Sequence, residues 1–374
     1  MIQRYLLIIT LTAFISAVSI SSLLAGSQPV LNNGKKWRIA YYEGGPYSDY
    51  TDTMRTLLWG LMDFKWIKKA ELPVIPPEKP MPYLDWLWQI DSPYLDFSRE
   101  HSYSAGWDEY QREQIRKKLI KALASGELDL IIAMGTWAGQ DLATKEHTIP
   151  VIVLSTSNPV RAGIIKSIEN SGLDHVTARV DPTRYLRQLR MFHRIVDFKT
   201  LGIAYEDTPE GRLYSAVADV EQVSRERGFK VLSCKVEETN IEAEKADQSC
   251  LKCYKQLAKQ ADAIYVTALT CADRKKETLT NIFRKAGKPS FSQVGSKYVK
   301  TGLMLSISTD SGYATLGHYN ASKLVKILKG TKPGKLNQLF EDPLDIAVNL
   351  ETCRQIGFQM PQSIQQIATE VYEQ

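Results

Sequence analysis

Histidine is scarce in this chain, with 5 residues in 374, and no cysteine occurs before Cys234. The histidines (His101, His147, His175, His193 and His318) show no metal-ligand spacing, so no metal centre is expected. Also missing are a GxxxxGKS or GxxxxGKT loop, a GxSxG elbow, an HExxH pair and a GxGxxG turn after a strand. Their absence removes the usual parts of phosphate-loop, serine-hydrolase, zinc-peptidase and dinucleotide chemistry, and no cofactor is expected. Neither sign of charge dominates. With 47 basic and 42 acidic residues the net charge is +5, too dilute over this length to hold nucleic acid. At 44% hydrophobic and 24% charged the composition excludes disorder, and the length suits two domains.

Long apolar runs are absent with one exception. Leu6 to Ala25 carries no charge and follows Arg4, which is the pattern of an export signal over residues 1–27 with cleavage near Ser27. A retained N-terminal anchor is the alternative, because such a run can span a bilayer. No cysteine follows Leu24-Ala25-Gly26, which excludes a lipoprotein anchor. The expected location is the periplasm, or the outer side of the cytoplasmic membrane. Thiols oxidise there, so one or two structural disulfides are expected among Cys234, Cys250, Cys253 and Cys271, with Cys353 also present. A zinc site is disfavoured because Cys250 and Cys253 form the only CxxC.

Short β-rich runs alternate with helical patterns, the signature of parallel sheets built from βαβ units. A first series runs through strand 37–42, helix 52–67, strand 94–97, helix 108–124, strand 128–134, a short helix 138–144 and strand 151–154. A second has helix 185–196, strand 200–204, helix 211–227, strand 230–234, helix 250–261, strand 263–266, helix 279–285 and strands 290–291 and 303–307. Two Rossmann-like lobes are expected. Residues 36–176 with about 309–335 form the first and 177–308 the second, while 336–374 packs at the hinge or on the second lobe. Pro73 to Pro93 holds 6 of the 16 prolines together with Trp86 and Trp88, and reads as an insertion that packs on its own lobe.

Open α/β sheets bind ligands at the carboxyl ends of their strands. The first-lobe ends carry Glu43 and Tyr47, then Gly135, Thr136 and Trp137, then Thr156, Ser157 and Asn158. The second lobe offers Glu206, Thr267 and Asp310. Hydroxyls and helix starts on one side, with carboxylates on the other, suit a zwitterion. Were the protein an enzyme, Glu43, Glu206 and Asp310 would be its acid/base groups.

DLIIAMGTWAGQDLATK and IPVIVLSTSNPVRAGIIKSI resemble, in order, two stretches of the ABC-transporter substrate-binding proteins of the tryptophan/tyrosine-binding type. KVLSCKVEETNIEAE, ADAIYVTALT, VKTGLMLSISTDSGYATLGHYNASKLVKILKGTKPGKL and VNLETCRQIGFQMPQSI continue the resemblance from Lys36 to the C-terminus. It departs at Asn158, where the family has an aspartate, at TALTCAD, and at the proline-rich insertion. The resemblance implies a type I periplasmic-binding-protein fold. It also implies a monomeric, non-enzymatic binder that closes on a small polar ligand and delivers it to an ABC permease. A ligand sensor for a membrane receptor or kinase, and an enzyme acting on a small amine or amino acid, are the alternatives.

Overall fold

The computed structural model describes residues 28–76, 79–307 and 310–373, without the side chains of residues 310–312. Residues 1–27, where the export signal or anchor is expected, lie outside the described residues. Among those described, no helix is long and apolar enough to cross a membrane.

The chain forms two sheets with helices on both faces of each. The first contains β1 (Trp37–Glu43), β2 (Leu95–Phe97), β3 (Tyr103–Ser104), β4 (Leu130–Met134), β5 (Val151–Leu154) and β6 (Val176–Ala178). Its order is β2-β1-β4-β5-β6, all parallel, with the short β3 continuing β2 along β1. The second contains β7 (Thr200–Glu206), β8 (Lys230–Val236), β9 (Ala263–Val266), β10 (Ser290–Ser292), β11 (Leu305–Ile307), β12 (Ile346–Asn349) and β13 (Glu370–Tyr372). Its order is β13-β12-β11-β10-β9-β7-β8, and only the β11–β12 pairing is antiparallel. β1, β4 and β5 are almost wholly apolar because helices cover both faces of their sheet, which removes the alternation of a half-exposed strand. This is the expected α/β fold of two Rossmann-like lobes.

Helix Asp310–Leu328 returns to the first sheet and packs on helix Ser48–Asp63, adding Ala321, Leu324 and Leu328 to that core. Glycines allow the close crossing. A Cβ at Gly317 would lie 2.3 Å from Thr56 Cβ, and one at Gly60 would lie 2.6 Å from Ala321 Cβ. The C-terminal strands β12 and β13, absent from the sequence expectation, join the second sheet.

The segments passing between the sheets are tied together. Val180 N–H donates to Gln338 O (2.7 Å) and Phe340 N–H to Val180 O (3.0 Å). Arg179 grips both oxygens of Asp342, while Asp181 accepts from Arg187 (2.7 Å) and from the Asp342 N–H (2.8 Å).

The expected helix 211–227 is two, Pro209–Tyr214 and Val217–Arg227, broken at Ala216 with φ 50°. Gln293 donates to Tyr214 O (2.6 Å) at the break. The expected helix 52–67 starts earlier, at Ser48, and ends at Asp63. Helix 250–261 is extended back to Ala243, covering Ala243–Gln260.

Candidate functional site

The carboxyl ends of β4 and β5 face those of β7 and β8 across a cleft. On the first lobe, β4 runs straight into helix Gly135–Leu142, and Gly135 has φ +84°. A Cβ there would fall 1.9 Å from the Tyr50 hydroxyl, so glycine is what lets Tyr50 approach the helix start. The Thr136 and Thr156 hydroxyls are 3.1 Å apart. Ser155 sits in the left-handed region at φ 52°, and its hydroxyl and that of Tyr313 both donate to Asp49.

On the second lobe, one Glu206 oxygen accepts from the Glu238 N–H (3.1 Å), the Thr239 N–H (2.8 Å) and the Thr239 hydroxyl (2.8 Å). Glu206 thereby fixes the loop after β8. Glu238 accepts from the Thr270 hydroxyl (2.6 Å) and the Cys271 N–H (2.7 Å). Burial, with the Glu206 charge as a smaller cause, raises the Glu238 carboxyl above its ordinary pKa.

The cleft has two communicating chambers. An outer one holds Tyr50, Trp107, Thr136, Glu206, Tyr214 and Glu238. A hinge-side one holds Asp49, Arg184, Tyr313, Asn320 and Asp342. Tyr47, Ser155, Ser157 and Ala268 line both. The outer chamber therefore carries two carboxylates and four aromatic rings, with no cation in its wall.

The lobes are closed on each other. Asn240 of the second lobe donates from its N–H to Trp107 O (3.2 Å) and accepts from the Glu109 N–H (3.0 Å), at the start of the first-lobe helix Glu109–Ala124. Arg161 pairs with the buried Asp219 (2.6 Å), and Lys297 reaches Ser48 and Asp52 (3.6 Å).

Among the sequence-expected residues, Tyr47, Thr136, Thr156, Ser157 and Glu206 line the cleft. Glu43, Thr267, Trp137 and Asn158 do not. Glu43 is fully buried, accepting from the Tyr41 hydroxyl (2.6 Å) and from the N–H of Met81 in the proline-rich insertion (3.1 Å). Burial pushes its pKa up to about 7. It ties the insertion to β1, which takes it out of reach as an acid/base group. Thr267 is fully buried and donates to Ala204 O (2.6 Å). Trp137 lies inside its lobe, edge-on to Trp107 at 5.6 Å between ring centroids and beneath the Arg112 guanidinium. Asn158 accepts from the Arg161 N–H (2.9 Å) and shapes its own turn. Gly135 contributes by having no side chain, and Asp310 begins its helix with its side chain outside those described.

Trp107 takes the cleft position expected for Trp137. Gly44 and Gly45 make this possible, since a Cβ on Gly45 would lie 2.6 Å from the Trp107 indole and one on Gly44 would lie 2.9 Å from Trp137 Cβ. Tyr50, Tyr214, Glu238 and Asn320 were also missed. Extending the strand 230–234 by two residues, to the end of the β-prone run at Val236, would have exposed Glu238 as a strand-end residue.

Cys234 of β8 is disulfide-bonded to Cys253 of helix Ala243–Gln260, whereas Cys250, Cys271 and Cys353 are free and buried. Among the described residues no cluster of ligating side chains could hold a metal.

Comparison with known proteins matches this architecture. A tyrosine-binding protein of Clostridioides difficile (strain R20291) is 22% identical over 245 residues, covering 65% of this chain and 67% of that protein. Two solved structures each cover 90% of this chain and 100% of their own. One is a conserved domain protein from Vibrio cholerae (TM-score 0.70, 20% identical), the other a domain from Streptococcus pneumonia in complex with L-Trp (TM-score 0.68, 18% identical). The sequence profile described as ABC transporter substrate binding protein matches residues 107–372, which include the cleft loops after β4, β5, β7 and β8. With this match over most of its length, the chain belongs to the ABC transporter substrate-binding protein family.

Proposed function

We propose that the cleft binds an α-amino acid with an apolar or aromatic body and that the protein presents it to an ABC permease. The observation that carries this reading is the division of labour across the outer chamber. The first lobe offers the Thr136 and Ser157 hydroxyls beside the start of helix Gly135–Leu142, where a carboxylate finds donors and a favourable dipole. The second lobe offers Glu206 and Glu238, which suit an ammonium. Tyr50, Trp107 and Tyr214 supply the walls for the body, and an aromatic face also favours a cation. The tyrosine-binding and L-Trp-complexed relatives support the class of ligand.

The protein acts outside the cytoplasmic membrane as a single chain, reached by the export signal of residues 1–27, and releases its ligand unchanged. Residues 36–176 with 309–335 close against 177–308, and the C-terminal segment moves with the second lobe through β12 and β13. Closure gives the ligand contacts on both sides that an open cleft lacks.

Calorimetry against the amino acids, their decarboxylated amines and their deaminated acids tests the reading. The best amino acid should lose at least about tenfold in affinity when either charged end is removed, as expected for a charge-assisted hydrogen bond. Glu206→Gln or Glu238→Gln should weaken it, and Trp107→Ala should do so by about 2 kcal/mol. No binding by any amino acid at about 1 mM would sink the proposal.

A further inference from the structure

An amino acid seated in the outer chamber leaves the hinge-side chamber unused, yet that chamber has specific chemistry. Helix Asp310–Leu328 turns Tyr313, Leu316 and Asn320 toward it from one face. Asn320 is 3% exposed, and its Oδ1 has no hydrogen-bond partner. The Tyr47 hydroxyl, at the junction of the chambers, is buried and unpartnered as well. A buried acceptor with no donor is costly, and native structures seldom keep one without a use.

The charges around Asn320 are matched. Asp342 is gripped by Arg179 and lies 3.1 Å from Arg184 Nε, and both Asp49 oxygens accept hydroxyls, from Ser155 and Tyr313. With two arginines facing two aspartates, the chamber has no surplus charge to select a charged group. Three of its lining groups have no hydrogen-bond partner: Asn320 Oδ1, the Tyr47 hydroxyl and Arg184 Nε, the last lying beside Asp342, so what is missing on the neutral side is a donor for Asn320 and a partner for Tyr47.

We propose that the hinge-side chamber is a second subsite that takes a hydroxyl or carboxamide on the far end of the ligand. The amino-acid head stays in the outer chamber, so the inference rests on that reading. The lining shared through Tyr47, Ser155, Ser157 and Ala268 gives the ligand a continuous path between the two. The ligand class narrows accordingly to amino acids whose side chain ends in an uncharged hydrogen-bond donor.

Calorimetry with matched pairs on the wild type and Asn320→Leu tests this. The pairs are L-tyrosine with L-phenylalanine, 5-hydroxy-L-tryptophan with L-tryptophan, and L-glutamine with L-methionine. In at least one pair the polar member should bind the wild type about tenfold more tightly or better, since a site built to pair a polar group rejects the analogue without it. Asn320→Leu should bring that pair to within about threefold while leaving the apolar member unaffected or tighter, which simple damage to the fold would not do. If Asn320→Leu fails to fold by circular dichroism, Asn320→Ser replaces it. Pairs that bind the wild type equally, or a gap that survives the substitution, overturn the subsite and leave the amino-acid reading standing. Binding by no member of the panel overturns the subsite, and binding by no amino acid at all overturns both.

Discussion

All seven tryptophans lie between Trp37 and Trp137, in the first lobe, and all five cysteines lie between Cys234 and Cys353, chiefly in the second, although both lobes stack helices on either side of a mostly parallel sheet. The first lobe is consolidated by bulk. Trp66 is fully buried against Tyr94, and the proline-rich insertion brings Tyr83, Leu84 and Leu87 onto the same core. Its edge strand β2 is only three residues long. The second lobe has one short edge, the three-residue β13, and one long one, β8, whose seven residues are mostly exposed or half-buried and which a disulfide fastens to the helix beneath. Edge strands need protection from further pairing, and the two lobes provide it by different means.

The comparison is broken most severely by Trp66→Ala. Removing this side chain should cost about 3–5 kcal/mol. Urea unfolding should show the loss, and a cost under about 1 kcal/mol would mean that bulk is not what holds the first lobe. In the second lobe, Cys234→Ser opens a bridge with a sequence separation of 19 and should cost about 3 kcal/mol. Reduction of the wild type should lower its melting temperature similarly, and an unchanged melting curve would refute the fastening role.

Acid should act on the first lobe through Glu43. The unfolded chain ionises this group at about its ordinary 4.5, the folded one only near 7, so between those values the folded state holds more protons. Its contribution is present in full below 4.5 and is lost as pH rises toward 7, by about 3 kcal/mol. Stability measured from pH 5 to 7.5 should fall less steeply in Glu43→Gln, and parallel curves would rule out this linkage.

The smallest effects concern the contacts that join the lobes. Arg161→Ala removes a partly exposed ion pair and should weaken ligand binding by no more than about 1 kcal/mol, less at high salt. Asn240→Gly keeps the left-handed backbone (φ 57°) while deleting the acceptor for the Glu109 N–H, and should show as faster ligand release. Equal release rates in wild type and variant would remove Asn240 from the closing contacts.

The two-lobed fold was legible because β1, β4, β5, β7 and β9 are short apolar runs ended by turn residues, and a sheet covered on both faces needs that pattern. The same runs put Thr136, Thr156, Ser157 and Glu206 at or just after strand ends and Tyr47 in the loop after β1, all on the cleft wall. Trp107 was invisible because it reaches the cleft from just before a helix, over two glycines whose role is only apparent once the backbone is folded. Tyr214 sits beside a break at Ala216 that no proline or glycine announces. The short strands β12 and β13 depend on pairing with β11, so their own sequence carries little signal. Trp137 and Thr267 show the converse limit, since a position next to a strand end can equally turn into the core.

The disulfide also bears on how the protein is made. Cys253 stands one helical turn from Cys250, and Cys250 is fully buried in the same cluster as Cys271. A chain emerging unfolded into an oxidising compartment can join Cys234 to either residue of the pair with nearly equal ease, because the closed loops differ by only three residues. Joining it to Cys250 would draw a core side chain toward the edge strand and leave Cys253 reduced, so the error persists until thiolate exchange moves the bond along the helix. Yield of the native protein should therefore depend on a disulfide isomerase even though the finished molecule contains a single bridge among its described cysteines.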